Sequence, residues 1–561
     1  MTRATKLRAA GGLLALALAT TAFVQVSTGP APPLSRLLPS GALLVVESKD
    51  FGGALADWNS SSEKPAWLAG DNFKAFAESK LYLRLEQDRD EFGAAAGVPP
   101  DMSLVEAIAG GESALAVYDI GELRMLYVTR LTAARAVETA LWRSRLTFEP
   151  REAGGEAYYV RSDAESGRET ALAAVGDLLL LSTASDLMAG ALDLLAGQGD
   201  AVTSEGWYSD AVRYAGERGG LRVIHDTAAL GRSPHFRSYW IQRNASSVRA
   251  YRAGAIDLDR ASDAWTERRV LLPAEASDPG DRGVGSLMRL IPEGTGYSNA
   301  SLDPTVDEAI GVLRQKLLGP SVRGAYSPST FAPGAARGAG AVGSEAALET
   351  QIDEPPLRVD SADFDPTPLA ALFARSPLTG ILQLESGASS DAFVSSNPGL
   401  VIEAAQDWDV PATLEALAAS SGGQWTLSAL GAGWRQAGEV YVLDGLVDVN
   451  VLIRGRLLAL SNSTDLLAAI AARMDAGPVE TDAIYSSRFA VSSEKAHYQR
   501  LMKQLDTVYW GGYADPNRRP YLLSENIPSL ADAMGKLESV SVERFHRENH
   551  VAEVVRYELT Q

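Results

Sequence analysis

Residues 176–189, Gly176-Asp177-Leu178-Leu179-Leu180-Leu181-Ser182 followed by Thr183-Ala184-Ser185-Asp186-Leu187-Met188-Ala189, return in similar form at 455–468. There they read Gly455-Arg456-Leu457-Leu458-Ala459-Leu460-Ser461 followed by Asn462-Ser463-Thr464-Asp465-Leu466-Leu467-Ala468. Each stretch reads as a turn glycine, a buried strand, and a helix whose first turn carries Ser or Thr and Asp. Oxygens in that place accept from the free N–H groups of the first helical turn. Two such composite signals about 280 residues apart point to an internal duplication.

Neighbouring pieces keep the same order. Residues 125–129 read as a strand and 132–142 as an amphipathic helix, and 400–404 with 412–419 repeat that pair. Leu38-Pro39-Ser40-Gly41 opens the first copy and Ile291-Pro292-Glu293-Gly294 the second. The aromatic steps Tyr208-Ser209 and Tyr485-Ser486 are matched between the copies. Each copy closes on a hairpin, 255–258 returning through 267–272, and 540–544 returning through 553–559. Strands followed by near neighbours, with helices interspersed, predict an α+β fold of two related modules with mainly antiparallel sheets.

The predicted boundaries follow. Residues 1–28 are a signal peptide or membrane anchor, 29–36 a linker, 37–273 the first module, 274–289 a second linker and 290–561 the second module. Within the second module, 319–368 is rich in Pro, Gly and Ala and reads as a mobile insertion, because it offers too little apolar surface to offset chain entropy.

The N-terminus sets the compartment. Arg3, Lys6 and Arg8 precede an uncharged run at 9–26, so the remainder of the chain is expected on the outer side of the cytoplasmic membrane. The run is just long enough to span a bilayer as a hydrophobic helix, and it reads as an uncleaved anchor or as a signal peptide. The chain has 561 residues, 46% hydrophobic and 22% charged, which is a globular composition; its formal charge is −20 and it has no cysteine. The negative charge argues against nucleic acid as a partner. The absence of cysteine excludes disulfides, thiolate metal sites and cysteine nucleophiles.

Candidate chemistry is sparse. Gly338-Ala339-Gly340-Ala341-Val342-Gly343 has the dinucleotide-binding spacing, but flanking prolines deny it the required strand and helix. Ser61-Ser62-Glu63-Lys64 and Ser492-Ser493-Glu494-Lys495 fit S-x-x-K without its partner motifs. Asp257, Asp259 and Asp263 lack the spacing of a calcium loop and read as turn carboxylates. No catalytic residue and no cofactor is assigned.

Two sets of residues are candidate sites. His546 and His550 have the i, i+4 spacing of a zinc pair on a helix, although the surrounding valines read as two strands. Arg237, Tyr239, Trp240 and Arg243 lie in a stretch at 235–252 rich in arginine and aromatics and free of acids. Guanidinium groups there would hold carboxylate or phosphate, and rings would stack on sugars. Tyr509-Trp510 and Arg518-Arg519 stand in the comparable part of the second copy.

The Leu38-Pro39 opening, the strand and helix at 176–187, the Tyr239-Trp240-Ile241-Gln242-Arg243-Asn244 stretch and the closing Glu267-Arg268-Arg269 strand resemble a family of exported bacterial proteins catalogued as a domain of unknown function. The resemblance covers most of the first copy and, more loosely, the second. It implies export and brings no catalytic residues. The expected function is a non-catalytic envelope protein that binds or scaffolds a protein partner. The alternatives are a binding module for an acidic glycan or other anion, and a metal-assisted hydrolase using His546 and His550.

Overall fold

The structure, a computed structural model, describes residues 33–560 apart from 62, 70–72, 74–76, 78–79, 132, 234–249, 276–281, 319–363, 390–393, 421–433, 444–447 and 495–535. The fold is mixed α/β around a large antiparallel sheet, with twenty strands among the described residues. In the first half these are β1 (Leu44–Ser48), β2 (Ser113–Asp119), β3 (Arg124–Arg130), β4 (Glu149–Ala153), β5 (Glu156–Ser162), β6 (Glu169–Val175), β7 (Leu178–Ser182), β8 (Leu221–His225), β9 (Tyr251–Arg260) and β10 (Ala264–Pro273). In the second half they are β11 (Tyr297–Leu302), β12 (Leu378–Ser389), β13 (Val394–Ala404), β14 (Trp434–Ala437), β15 (Val440–Leu443), β16 (Val449–Arg454), β17 (Leu457–Ser461), β18 (Tyr485–Ala490), β19 (Leu537–Arg547) and β20 (His550–Leu559).

From one edge the first half runs β4-β5-β6-β7-β3-β2-β1-β8-β9-β10. Pairing then crosses from β10 to β20, and the second half continues β19-β18-β11-β12-β13-β17-β16-β15-β14. Raising every strand number of the first half by ten gives the second half read from the opposite edge. Among the described residues every strand pairing is antiparallel. The outer strands β4 and β14 are mostly exposed, and β4 carries Pro150 between charged residues, which blunts it as a template for another strand.

Because strand side chains alternate, the sheet has two apolar faces that helices cover separately. On one face, helices Ser185–Leu195 and Gly206–Ala215 close a core containing Leu126, Leu180, Met188, Tyr208, Ile224 and Leu272. Helix Thr464–Ala471 closes the corresponding core of the second half, with Leu382, Val401 and Ile470. On the other face lie a small cluster with Leu141 and Leu172, and a larger one in which helices Val306–Leu313, Thr367–Arg375 and Val410–Ser420 pack on Ile381, Leu400 and Leu458. Among the described residues each apolar cluster draws on one half alone.

Several local readings differ from the structure. Tyr208 sits on a helix and Tyr485 begins strand β18, so those aromatic steps are not equivalent; in register, Tyr485 stands where Leu221 does. The helix expected at 132–142 is two short ones, Ala133–Glu138 and Ala140–Ser144, because the Thr139 hydroxyl accepts from Trp142 N and starts a new helix. Ser463 caps its helix through Leu466 N as expected, whereas Ser185 N is held by the Glu169 carboxylate instead of a serine or threonine. Leu34, in the stretch read as a linker, packs into the first core, and Val284 and Leu287 pack into the second half. The hydrophobic run at 9–26 and most of the insertion lie outside the described residues. Among the described residues no helix is long and apolar enough to cross a membrane.

Candidate functional site

Among the described residues, the seam between the halves is where both contribute to a charged cluster. Strand β10 opposes β20 through eight pairs, from Ala264 against Glu558 to Leu271 against Val551. Residues directly opposed across strands share a face, so Arg269 meets Glu553, which in turn meets Arg544 on β19. Arg269 Nη1 lies 2.8 Å from Glu553 Oε1, and Arg544 Nη2 lies 2.8 Å from Glu553 Oε2. Arg269 also donates to Glu267, which accepts from the Tyr557 hydroxyl at 3.1 Å. The Arg544 guanidinium stacks over Tyr485. Glu553 is only 5% exposed, and its two arginines compensate for the lost hydration.

On the opposite face of the first half, a second charged group closes on itself. The Tyr208 hydroxyl donates to Glu47 at 2.5 Å. Burial, and next the Glu47 carboxylate, hold the Tyr208 hydroxyl far above its usual pKa, so it remains a donor. Arg218 bridges Glu47 and Glu112, and Arg130 joins Glu112 to Asp177. Arg222 and Asp257 form a buried pair beside them.

The histidine pair is separated by strand alternation. His546 opposes Val551, whereas His550 opposes Arg547, so the two imidazoles stand on opposite faces of the β19–β20 hairpin. His550 stacks on Tyr214 of the first half at 4.8 Å, and its Nδ1 is buried with no hydrogen-bond partner among the described residues. Burial, and next the Arg547 guanidinium, hold its pKa below the usual histidine range. No group of three or more ligating side chains is found among the described residues. Arg237, Tyr239, Trp240 and Arg243 fall within 234–249, outside the described residues, in the connection leading into β9. Tyr509, Trp510, Arg518 and Arg519 fall within the connection leading into β19 and are likewise outside them.

Of the remaining motifs, the glycine run at 338–343 lies outside the described residues, and the described parts of the others make structural contacts. Lys64 Nζ donates to Asn59 at 2.6 Å and the Ser61 hydroxyl to Trp58 O, so this lysine does not serve that serine. The Ser492 hydroxyl donates to Glu538, and Lys495 lies outside the described residues. Asp257 holds Arg222 and Gly219 N, and Asp259 holds Gly220 N and Arg268.

Two clefts stand out. One of about 580 Å³ lies between helices Phe51–Ser60 and Met102–Ile108, with Leu55, Ala56 and Ala109 lining it and Asn59 bonded to Glu106 at one end. The other, of about 250 Å³, combines Phe92, Leu123 and Met125 with Asp88, Arg89, Arg168 and Glu169. Arg168 there is already held by Asp88 and Glu91. At that size the second cleft falls below the volume of most ligand sites, about 300 Å³ and upward.

No family model and no curated protein matches the chain. Two crystal forms of the protein TP0453 are similar to part of it. Form I matches at TM-score 0.25 and 11% identity over 45% of this chain and 82% of that one. Form III matches at TM-score 0.26 and 9% identity over 47% and 88%. Similarity of that degree carries no argument about fold or function.

Proposed function

We propose that this chain is an exported, non-catalytic envelope protein with a binding or scaffolding role, built from two copies of one α+β module behind an N-terminal hydrophobic helix. The observation that carries the reading is the edge-to-edge joining of the halves into one sheet of twenty strands. At about 4.8 Å per strand, such a sheet measures on the order of 90 Å across if unrolled. A platform of that breadth suits a partner held over a wide surface better than a small substrate held in a pocket.

Matched details support the duplication. The Ser182 hydroxyl reaches Met125 O at 2.9 Å, and the Ser461 hydroxyl reaches Pro398 O at 2.8 Å. The two serine hydroxyl oxygens in turn accept from Ala184 N and Ser463 N. Gly176 and Gly455 share a left-handed backbone with φ of 59° and 55°, as do Gly41 and Gly294 with 92° and 77°. Only glycine adopts that conformation without strain, so the turns are matched as well as the strands.

The anion-binding alternative rests on Arg237, Tyr239, Trp240 and Arg243. At the seam, Arg269 and Arg544 are balanced by Glu267 and Glu553 and offer no surplus positive charge. The hydrolase alternative needs His546 and His550 on one ion, and strand alternation parts them. The test is cross-linking in intact cells with mass spectrometry of what is captured from the envelope. One reproducible protein partner is the expected result. Turnover of an envelope substrate, abolished by point variants, would overturn the reading.

A further inference from the structure

We propose that strand β20 is a self-complementary edge able to pair with the β20 of a second copy of this chain, and that β10 of the same chain normally occupies it. The inference rests on the duplication reading for the match of β10 with β20, and on the observed register for everything else.

Starting from Leu178 on Leu457, the cross-strand registers fix the spacing of each neighbouring strand in turn. They place Arg260 on His546 and Trp265 on Val551, and both of these are opposed pairs of their hairpins. Arg268 then corresponds to Val554, and the two face each other across the seam. A pseudo-twofold axis therefore passes between Arg268 and Val554.

Replacing β10 by a second β20 about that axis sets Val554 against Val554, Glu553 against Val555, Ala552 against Arg556 and Val551 against Tyr557. No like charges are opposed, and the centre is apolar. Two β10 strands paired in the same way would set Arg268 against Arg268, a repulsion only partly relieved by Asp259 at 2.8 Å. Strand β20 is thus the edge suited to its own copy.

Within one chain β10 holds the position through specific contacts. Arg269 meets Glu553, the Tyr557 hydroxyl meets Glu267, and Tyr214 stacks on His550. Among the described residues no apolar core is shared across the seam, so opening it leaves each core intact. The short tether between Pro273 and Val284 keeps β10 at high effective concentration and favours the closed chain.

The experiment uses the full chain, which has no cysteine of its own. Arg269→Glu sets a carboxylate against Glu553. V554C reports β20 self-pairing through an interchain disulfide, because a residue on the axis faces its own copy. T266C with R556C reports a closed seam through an intrachain disulfide, since those positions are directly opposed. In the otherwise native chain, V554C should stay monomeric and T266C/R556C should bridge. In the Arg269→Glu background the intrachain bridge should fall at least tenfold and V554C should link chains, while Arg269→Lys should behave as native. Should Arg269→Glu not fold, Arg269→Ala carries the same reporters.

An intrachain bridge that persists in the charge-reversal variant would overturn the assigned lock. An opened seam with no V554C link would overturn self-complementarity. Links that form only in a shifted register, through V551C to V551C, would remove the axis and with it the duplication match. Failure of the envelope-binding role would leave all three readouts unchanged.

Discussion

Arg222 Nη2 lies 2.7 Å from Asp257 Oδ2, and each side chain keeps only 2% of its surface exposed. The pair is cross-strand, β8 against β9, and its remaining valences are filled: Asp257 accepts from Gly219 N, and Arg222 donates to Gly216 O and Glu217 O. The register places Ser486 and Glu543 at the matching positions of the second half, so this pair belongs to the first half alone.

Removing one partner leaves the other buried and unpaired. Asp257→Ala is expected to cost about 3–5 kcal/mol, whereas replacing both with apolar residues of similar volume should cost far less. Because the cores are separate, urea unfolding of Asp257→Ala should lower the transition of the first half and leave that of the second in place. A uniform shift of both transitions would show that the halves unfold as one unit.

Local periodicity made the strands and turns legible where the signal was self-contained. The run Leu178 to Leu181 reads as a doubly buried strand because helix Ser185–Leu195 covers one face while Leu179 packs into a cluster on the other. The closing hairpins were readable for the same reason. The seam was not, since Arg269 and Glu553 stand 284 residues apart and no short-range pattern links them. Glu267-Arg268-Arg269 looks like one charged stretch, yet alternation sends Arg269 to Glu553 and leaves Arg268 exposed beside Asp259. The Tyr-Ser steps misled because two residues carry too little pattern to distinguish a helix from a strand. The histidine spacing has meaning only on a helix, and β19 and β20 are strands.

His225 links stability to pH. It is largely buried against Gly254, where an added Cβ would come within 2.9 Å of Nε2, and its Nδ1 lies 2.9 Å from the Thr227 hydroxyl. Burial pushes its pKa down to about 4. A depressed histidine stabilises the fold above the unfolded pKa near 6.5, and that contribution is lost as pH falls toward 4. The loss should approach about 3 kcal/mol. Phe489 occupies the matching position, so His225→Phe is the informative variant. Its stability should change less between pH 7 and pH 4 than that of the native chain, and an unchanged slope would assign the acid sensitivity to other groups.

Ser182 and Ser461 offer a test of equivalence between the halves. Each is essentially fully buried, and each bridges a neighbouring strand carbonyl and a backbone N–H two residues on. An alanine at either position strands those groups and should cost about 1–3 kcal/mol. The two losses should agree within a factor of about two and each should appear in its own half's transition. A large loss at one position beside a negligible one at the other would mean that the matched geometry does not carry matched energetics.

Tyr208 and Glu47 set the last expectation. Glu47 is 5% exposed, and the hydroxyl at 2.5 Å is its closest polar contact, with Arg218 farther off at 3.6 Å. Tyr208→Phe keeps the ring in the core and deletes only the donor, so the carboxylate loses a charge-assisted hydrogen bond worth about 1.5–3 kcal/mol. Glu47→Gln in the native background keeps an acceptor for the hydroxyl and should cost less. A double-mutant cycle between Tyr208→Phe and Glu47→Ala, in which alanine removes the acceptor, isolates the coupling by urea unfolding. Coupling of at least about 1 kcal/mol is expected for a direct contact of this kind. Additive losses would mean that Arg218, not the tyrosine, holds the Glu47 carboxylate in place.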